Sequence, residues 1–360
     1  MTNDRVAGTI TPPTPALETV AGRPMVLTYT NLDAEYAALR ERAGLVDRSH
    51  RVRVRVSGPK AAEMIGGLVT NDTPALEPGQ GQYAAALTAK GKIVADVRIF
   101  READGVLTDT GARAGDGWRA MVRKFVNPRV APYADETEST RTFGVFGPMA
   151  HHVMEAVTGV NASALAVLPP YAHVSAESGG MRLLVARTPE LQVAGFELFV
   201  STERFDAYWE RAMRAGAVAC GHLAWEVARV EAGRPEWGLD MDESTLVQEA
   251  NLDDFQAVSY TKGCYVGQEV VARVHFQGHV NRHLRGLRVS GADAVPSGAT
   301  LEDETGKAVG DVRSSVRSPR LGSIALAMVR REVELGTVLS ARWDGGVARV
   351  EVCALPFPAV

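Results

Sequence analysis

The sequence predicts an α+β chain, with two mixed helix–strand lobes followed by a small antiparallel β-barrel. Three observations carry this. Strand and helix patterns alternate through the first 140 residues, and the same mixture restarts near Arg141. After Gly278 short β-prone runs appear, split by Gly, Pro and Ser turns. A length of 360 residues suits two or three domains, and an apolar content of 46% supplies their cores. The expected divisions are a loose leader over 1–25, a first lobe over 26–140, a second over 141–280 and the barrel over 281–360.

In chain order, Pro12, Pro13, Pro15 and Pro24 oppose regular structure in the leader. Asn31 caps a helix from Leu32 to Ala43, which Gly44 ends. A turn over Leu45–His50 leads to an alternating strand, Arg51 to Val56, with valines on one face and arginines on the other. The arginine face reads as solvated, with a small chance to attract an anionic ligand tail. A helix over Lys60–Leu68 precedes a hairpin of two strands, Tyr83–Leu87 and Ile93–Phe100. In the second strand Val94, Asp96, Arg98 and Phe100 share one face. A strand at Val106–Thr110 and a helix at Trp118–Phe125 complete the lobe. The second lobe has strands at Thr142–Phe146, Arg182–Arg187 and Gly195–Val200. Its helices run over Met149–Thr158, from Ser201 to Gly216, and over Leu223–Ala232. Barrel strands are expected at Arg285–Val289, Gly310–Val316, Ile324–Val329 and Val347–Val350.

Net charge is -4 with a pI near 6.1, so no basic excess points to nucleic acid or an anionic membrane. Neither an apolar leader nor a membrane-length stretch is present. Cys220, Cys264 and Cys353 are far apart, which indicates neither a disulfide framework nor a zinc ribbon; no metal site is expected. A cytoplasmic monomer is the expectation.

The stretch with the most chemistry is Lys262-Gly263-Cys264-Tyr265-Val266-Gly267-Gln268-Glu269. Val266, Val270, Val271 and Val274 recur at helical spacing after it, so Cys264 lies at or just before a helix start. Free N–H groups, the helix dipole and the Lys262 charge would favour a thiolate there. A small buried cysteine in a tight turn is the plainer alternative.

Several stretches resemble the folate-binding T-protein superfamily of the glycine cleavage system. They are Leu45–His50, Val69-Thr70-Asn71-Asp72, Gly79–Tyr83, Gly91-Lys92-Ile93-Val94-Ala95-Asp96, Gly195–Leu198 and Arg229–Gly233. The resemblance spans nearly the whole chain and implies a cloverleaf of two folate-binding lobes and a barrel. The Lys262–Glu269 stretch is similar to the motif of the YgfZ branch, which implies a tetrahydrofolate-binding protein supporting iron–sulfur client or assembly proteins. An ordinary aminomethyltransferase acting on a lipoyl carrier protein, a folate-dependent demethylase and a folate-gated scaffold are the alternatives.

The resemblance assigns roles residue by residue. Asp96 falls on the carboxylate facing the one-carbon nitrogens of folate, although its face also carries Arg98 as an ordinary partner. Glu197 would meet the aminopyrimidine edge of the pterin. Arg229 would bind a folate carboxylate or the pterin carbonyl, or else pair with Glu226 one turn away. Tyr83 and Trp237 would pack on the ligand. Asp96, Cys264 and Lys262 are the expected catalytic residues. One departure stands out: T-proteins carry a pterin-contacting asparagine where this chain runs Leu107-Thr108-Asp109-Thr110-Gly111.

Overall fold

A computed structural model describes residues 16–178, 181–291 and 294–358. Residues 1–15 of the expected leader lie outside them. Residues 16–25 are not loose, because Ala16–Val20 and Arg23–Thr28 pair as an antiparallel hairpin.

The first lobe is a five-stranded sheet in the order Gly81–Leu87, Ile93–Glu102, Gly105–Thr110, Val52–Ser57, Tyr133–Asp135. Every pairing is antiparallel. Val52, Val54 and Val56 point into a core closed by Ile65, Trp118 and Val122. The alternation therefore seats the helices Ala61–Gly66 and Gly115–Phe125 on one face only.

The second sheet has six strands, in the order His173–Ser178, Met181–Arg187, Gly195–Ser201, Thr140–Phe146, Gly44–Asp47, Val218–Ala219. The expected turn at Leu45–His50 is thus largely a strand. It pairs with Thr140–Phe146, far from its neighbours in sequence. The helix Leu32–Glu41 goes with it, and Asn31 caps that helix by accepting from the Ala34 N–H at 2.9 Å. The two lobes are therefore interleaved in sequence. Leu45 and Val46 are wholly apolar and buried on both faces, which commits them to a sheet interior.

The C-terminal part is a closed antiparallel barrel in the order Arg282–Val289, Gly322–Arg330, Ala308–Ser318, Thr300–Glu302, Val338–Trp343, Gly346–Cys353. The short strands at Thr300 and Val338 were not anticipated. The barrel is joined to the lobes by the helix His222–Glu231. Glu231 accepts from Tyr36 at 2.8 Å and from Ser318 at 2.5 Å, so one carboxylate ties the N-terminal helix to a barrel strand.

The Lys262–Glu269 stretch runs along the first lobe and ends in the surface helix Gln268–Gln277. Of its valine stripe only Val271 is buried. Gly267 holds φ at +86°, and a Cβ there would lie 2.6 Å from the Thr88 carbonyl oxygen. The hairpin bearing Thr88 leads directly into the strand of Asp96, so this glycine sets how closely the motif approaches it. Replacing Gly267 with alanine should cost about 1–3 kcal/mol from the left-handed backbone alone. Urea unfolding followed by circular dichroism checks this, with the midpoint falling and the slope unchanged.

Candidate functional site between the two lobes

The two sheets meet face to face through Arg98. Its strand belongs to the first sheet, yet its guanidinium forks onto Glu197 of the second, Nη1 to Oε1 at 2.7 Å and Nη2 to Oε2 at 2.8 Å. Nε and Nη2 also donate to Asp109 Oδ1 at 2.9 and 2.6 Å, and Nη1 reaches Glu190 at 3.2 Å. Every N–H of Arg98 has an acceptor. Arg51 adds a 2.5 Å bond to the same Asp109 oxygen, and Arg48 reaches Glu190 and Glu197 at 3.4 and 3.5 Å. The side chains of Arg98 and Glu197 are both 0% exposed.

The arginine stripe is accordingly not solvated. Arg51 and Arg53 are buried between the lobes, and Arg53 donates to the Thr140 hydroxyl and to the carbonyls of Ser49, Thr137 and Thr140. Periodicity gave the right face; it could not tell a solvent face from one covered by a second sheet.

Asp96 lies beside this network without joining it. Its expected partner Arg98 is taken up by other carboxylates. Its Oδ2 accepts from the Tyr83 hydroxyl at 3.0 Å, and its Oδ1 has no hydrogen bond among the described residues. Burial pushes its carboxyl above the usual value, against the pull of Arg51, Arg234 and the Tyr83 hydroxyl. Tyr83 stacks on Tyr171 at 6.0 Å, and the Arg234 guanidinium lies 4.4 Å above the Tyr83 ring while donating to the Tyr171 hydroxyl at 2.8 Å. Arg234, Tyr171 and Glu190 were not singled out from sequence, and Glu197 was expected on a ligand and not on Arg98. Only Arg98 carried a signal, its place on the face of Asp96.

The other expected residues fall elsewhere. Arg229 is buried and spends every N–H on protein: the Glu226 carboxylate, Asp240 at 2.6 Å, the Arg234 carbonyl at 2.5 Å and Ser314 of the barrel at 2.7 Å. The plainer i,i+3 pairing is the one present, and no donor is left for a ligand. Trp237 anchors its loop, its indole N–H donating to the Ile93 carbonyl at 3.2 Å. Lys262 is bonded to the backbone. Its ammonium donates to the carbonyls of Gly66 and Val69, at the end of the helix Ala61–Gly66, and lies 4.8 Å over the Tyr265 ring. Burial lowers its pKa to about 8. Cys264 is exposed, three residues before the left-handed glycine that starts the helix, whereas Cys220 is buried. Among the described residues no group of His, Cys, Asp and Glu is arranged to hold a metal ion. Nor is any described helix long and apolar enough to cross a membrane. A cavity of about 420 Å³ opens beneath the N-terminal hairpin, lined by Tyr29, Asp47, His50, Arg141 and His222 among others. None of the expected site residues lines it.

Such a fold, with two interleaved sheets facing each other and a closed barrel, matches known proteins throughout its length. Residues 16–260 match the GCVT N-terminal domain family, and residues 282–358 match the glycine cleavage T-protein C-terminal barrel domain family. The chain belongs to this T-protein family. It is 31% identical over 338 residues to an aminomethyltransferase of Rubrobacter xylanophilus, covering 94% of this chain and 89% of that protein. A similar relative is the aminomethyltransferase of Thermotoga neapolitana, 31% identical over 346 residues, covering 94% and 92%. The glycine cleavage system aminomethyltransferase T from Bartonella henselae has the same fold. Its TM-score is 0.86 at 24% identity, over 96% of this chain and 94% of that one. The Lys262–Glu269 stretch falls between the two matched family ranges.

Aminomethyltransferases of this family use tetrahydrofolate as the one-carbon acceptor. The residues here fit that cofactor on one side only. Asp96, with an open oxygen, suits a place beside nitrogens that exchange protons. Glu197 and Arg229 are engaged within the protein, Glu197 by Arg98 and Arg229 by Glu226, Asp240 and Ser314.

The network fixes the acid stability of the protein. Burial opposes ionisation of Asp109, but Arg51, Arg98 and Arg53 outweigh it and hold its pKa below the ordinary 3.8. Glu190 is likewise held below its ordinary 4.5, with Arg234 and Arg98 overcoming burial. Both carboxylates are more acidic folded than unfolded. Their contribution is complete above the unfolded values and is lost as pH falls through the folded ones. Stability should therefore drop steeply below about pH 4.5, a drop that Asp109→Asn flattens in thermal melts across pH 2–7. Asp96 has the opposite sign: its raised pKa costs stability at neutral pH, so Asp96→Asn should raise the melting temperature at pH 7.

Proposed function

We propose that this chain is a tetrahydrofolate-dependent aminomethyltransferase, passing the methylene carbon of an aminomethyl thioether donor to folate, with ammonia and the free thiol as the other products. The observation that carries this reading is Asp96, whose Oδ1 has no hydrogen bond among the described residues. Its place in a family of aminomethyltransferases, and two relatives of that name at 31% identity, support it.

Bound tetrahydrofolate would supply the nucleophilic nitrogens that accept the one-carbon unit. The protein's part is acid–base chemistry and positioning. Asp96 Oδ1 holds or accepts the proton released when an amine nitrogen is alkylated, and its raised pKa brings it closer to the working range for that exchange. The Tyr83 hydroxyl fixes Oδ2 and so aims Oδ1. Arg234 braces Tyr83 and Tyr171 from the far side. Asp96→Asn should lower formation of methylenetetrahydrofolate from an aminomethyl-lipoyl carrier protein by about 10²–10⁴-fold while the fold is kept. Activity within twofold of wild type would remove Asp96 from the reaction.

Cys264 favours a second reading, support of iron–sulfur proteins. Its thiol is exposed in a stretch that falls outside both family matches. A single thiol cannot hold a cluster, which takes about four ligands, so a partner would supply the rest. The names of the relatives support the first reading and not this one. On the first reading Cys264→Ala leaves transferase activity within about twofold, as a surface substitution should. On the second it abolishes rescue of iron–sulfur enzyme activity in a deletion strain.

A further inference from the structure

The cavity of about 420 Å³ beneath the N-terminal hairpin falls in the range of about 300–1,000 Å³ that small-molecule pockets occupy. It shares no lining residue with the Asp96 cluster, and the folate reading makes no use of it. Its charged groups cancel in pairs: Arg141 holds Asp47 at 2.8 Å and Arg23 holds Glu138 at 2.5 Å. Pro24, Met25, Val26 and Val46 give it an apolar wall. Three polar tips in the lining have no hydrogen bond among the described residues: the Tyr29 hydroxyl and the imidazoles of His50 and His222. The two imidazoles stand edge to face, with 6.3 Å between centroids. Polar groups inside a fold are ordinarily bonded, so three open ones around a single cavity point to a ligand that completes them.

The two sides of the cavity differ in sign. Around Tyr29 the field is negative: burial, Asp47 and Glu35 push its hydroxyl up to about 12. Around His50 it is positive: burial and the guanidinium groups of Arg48, Arg51 and Arg53 keep its imidazole neutral. Burial takes His222 down to about 4, although Glu226 pulls the other way. His222 also opens the helix His222–Glu231, whose first turn adds positive potential. A ligand with net charge would stand unbalanced among ions that are already paired. A molecule with one positive end, one negative end and no net charge meets both fields. We propose that this cavity binds a small zwitterion with an apolar body, namely an apolar α-amino acid. Its ammonium lies at Asp47 and Tyr29, its carboxylate accepts from the N–H groups of His50 and His222, and its side chain packs on Met25, Val26 and Val46.

The site stands or falls independently of the folate reading. Calorimetry on the full chain with leucine, methionine, phenylalanine and tryptophan tests it. The tightest binder is then compared with its amide, which lacks the carboxylate, and with its N-acetyl form, which lacks the ammonium. The same ligand is titrated into His50→Leu, His222→Leu and Tyr29→Phe, with circular dichroism identifying the folded variants. Tyr29→Phe removes a single hydroxyl and keeps the test open if the histidine variants do not fold. The expected result is saturable one-to-one binding, weakened at least about tenfold by blocking either end of the ligand or by losing either imidazole. Loss of the Tyr29 hydroxyl should weaken it about fivefold. No binding of any of the four amino acids overturns the proposal, and the cavity then holds water only. Equal binding of the amide and the N-acetyl form overturns it too, since neither charged end would be recognised. Binding kept within about twofold by every folded variant likewise overturns it, because the ligand would then sit elsewhere.

Discussion

The arrangement of the two lobes depends on one buried cation. Arg98 reaches from a strand of the first sheet to Glu197 on the second, and to Asp109 and Glu190 on either side. Taking such charges out of water is costly, and the cost is recovered only where donors and acceptors match closely. Here every guanidinium N–H is used. The contact therefore admits little sliding or rotation of one sheet against the other. Phe100 against Phe199, edge to face at 5.4 Å, fills the apolar space beside it. Two sheets that are built from interleaved segments are brought into one register by this pairing.

A fixed register is what makes Asp96 useful. It stands two residues before Arg98 on the same strand face, so whatever holds Arg98 also places Asp96. The network consumes the acidic groups around it and leaves this one with a free oxygen. Tyr83, Tyr171 and Arg234 form a wall behind it, and burial keeps its proton more tightly held than on an open surface. Structure and reactivity are divided between neighbouring positions: Arg98 and Glu197 hold, while Asp96 acts. At the other end of the assembly Arg229 and Glu231 fasten the same lobes to the barrel.

The α+β class, the barrel and most helices were legible because they follow from local patterns. Asn31 as a cap, the valine alternation at Val52–Val56 and the break at Gly278 each report on their own surroundings. What was not legible depended on partners far away. Leu45–Val46 reads as a turn until Thr140–Phe146 arrives beside it. Arg51 and Arg53 read as solvated until a second sheet covers them. Asp96, Glu197 and Arg229 were singled out through family resemblance, and the structure gives each a protein partner: Tyr83 for Asp96, Arg98 for Glu197, Glu226 and Asp240 for Arg229. A buried charge is shaped by its partners; the Arg229–Glu226 pair was visible from its spacing, but sequence alone did not show that Arg98 and Asp240 would be partners too. The partners of Lys262, the helix-end carbonyls of Gly66 and Val69, were likewise not visible in the sequence.

The most direct test is a crystal structure of the chain grown with 5-formyltetrahydrofolate. The predicted result is the ligand beside the inter-lobe cluster, in contact with Asp96, with the Arg98 fork still on Glu197. A ligand bound away from the inter-lobe cluster, with Asp96 untouched, would contradict it.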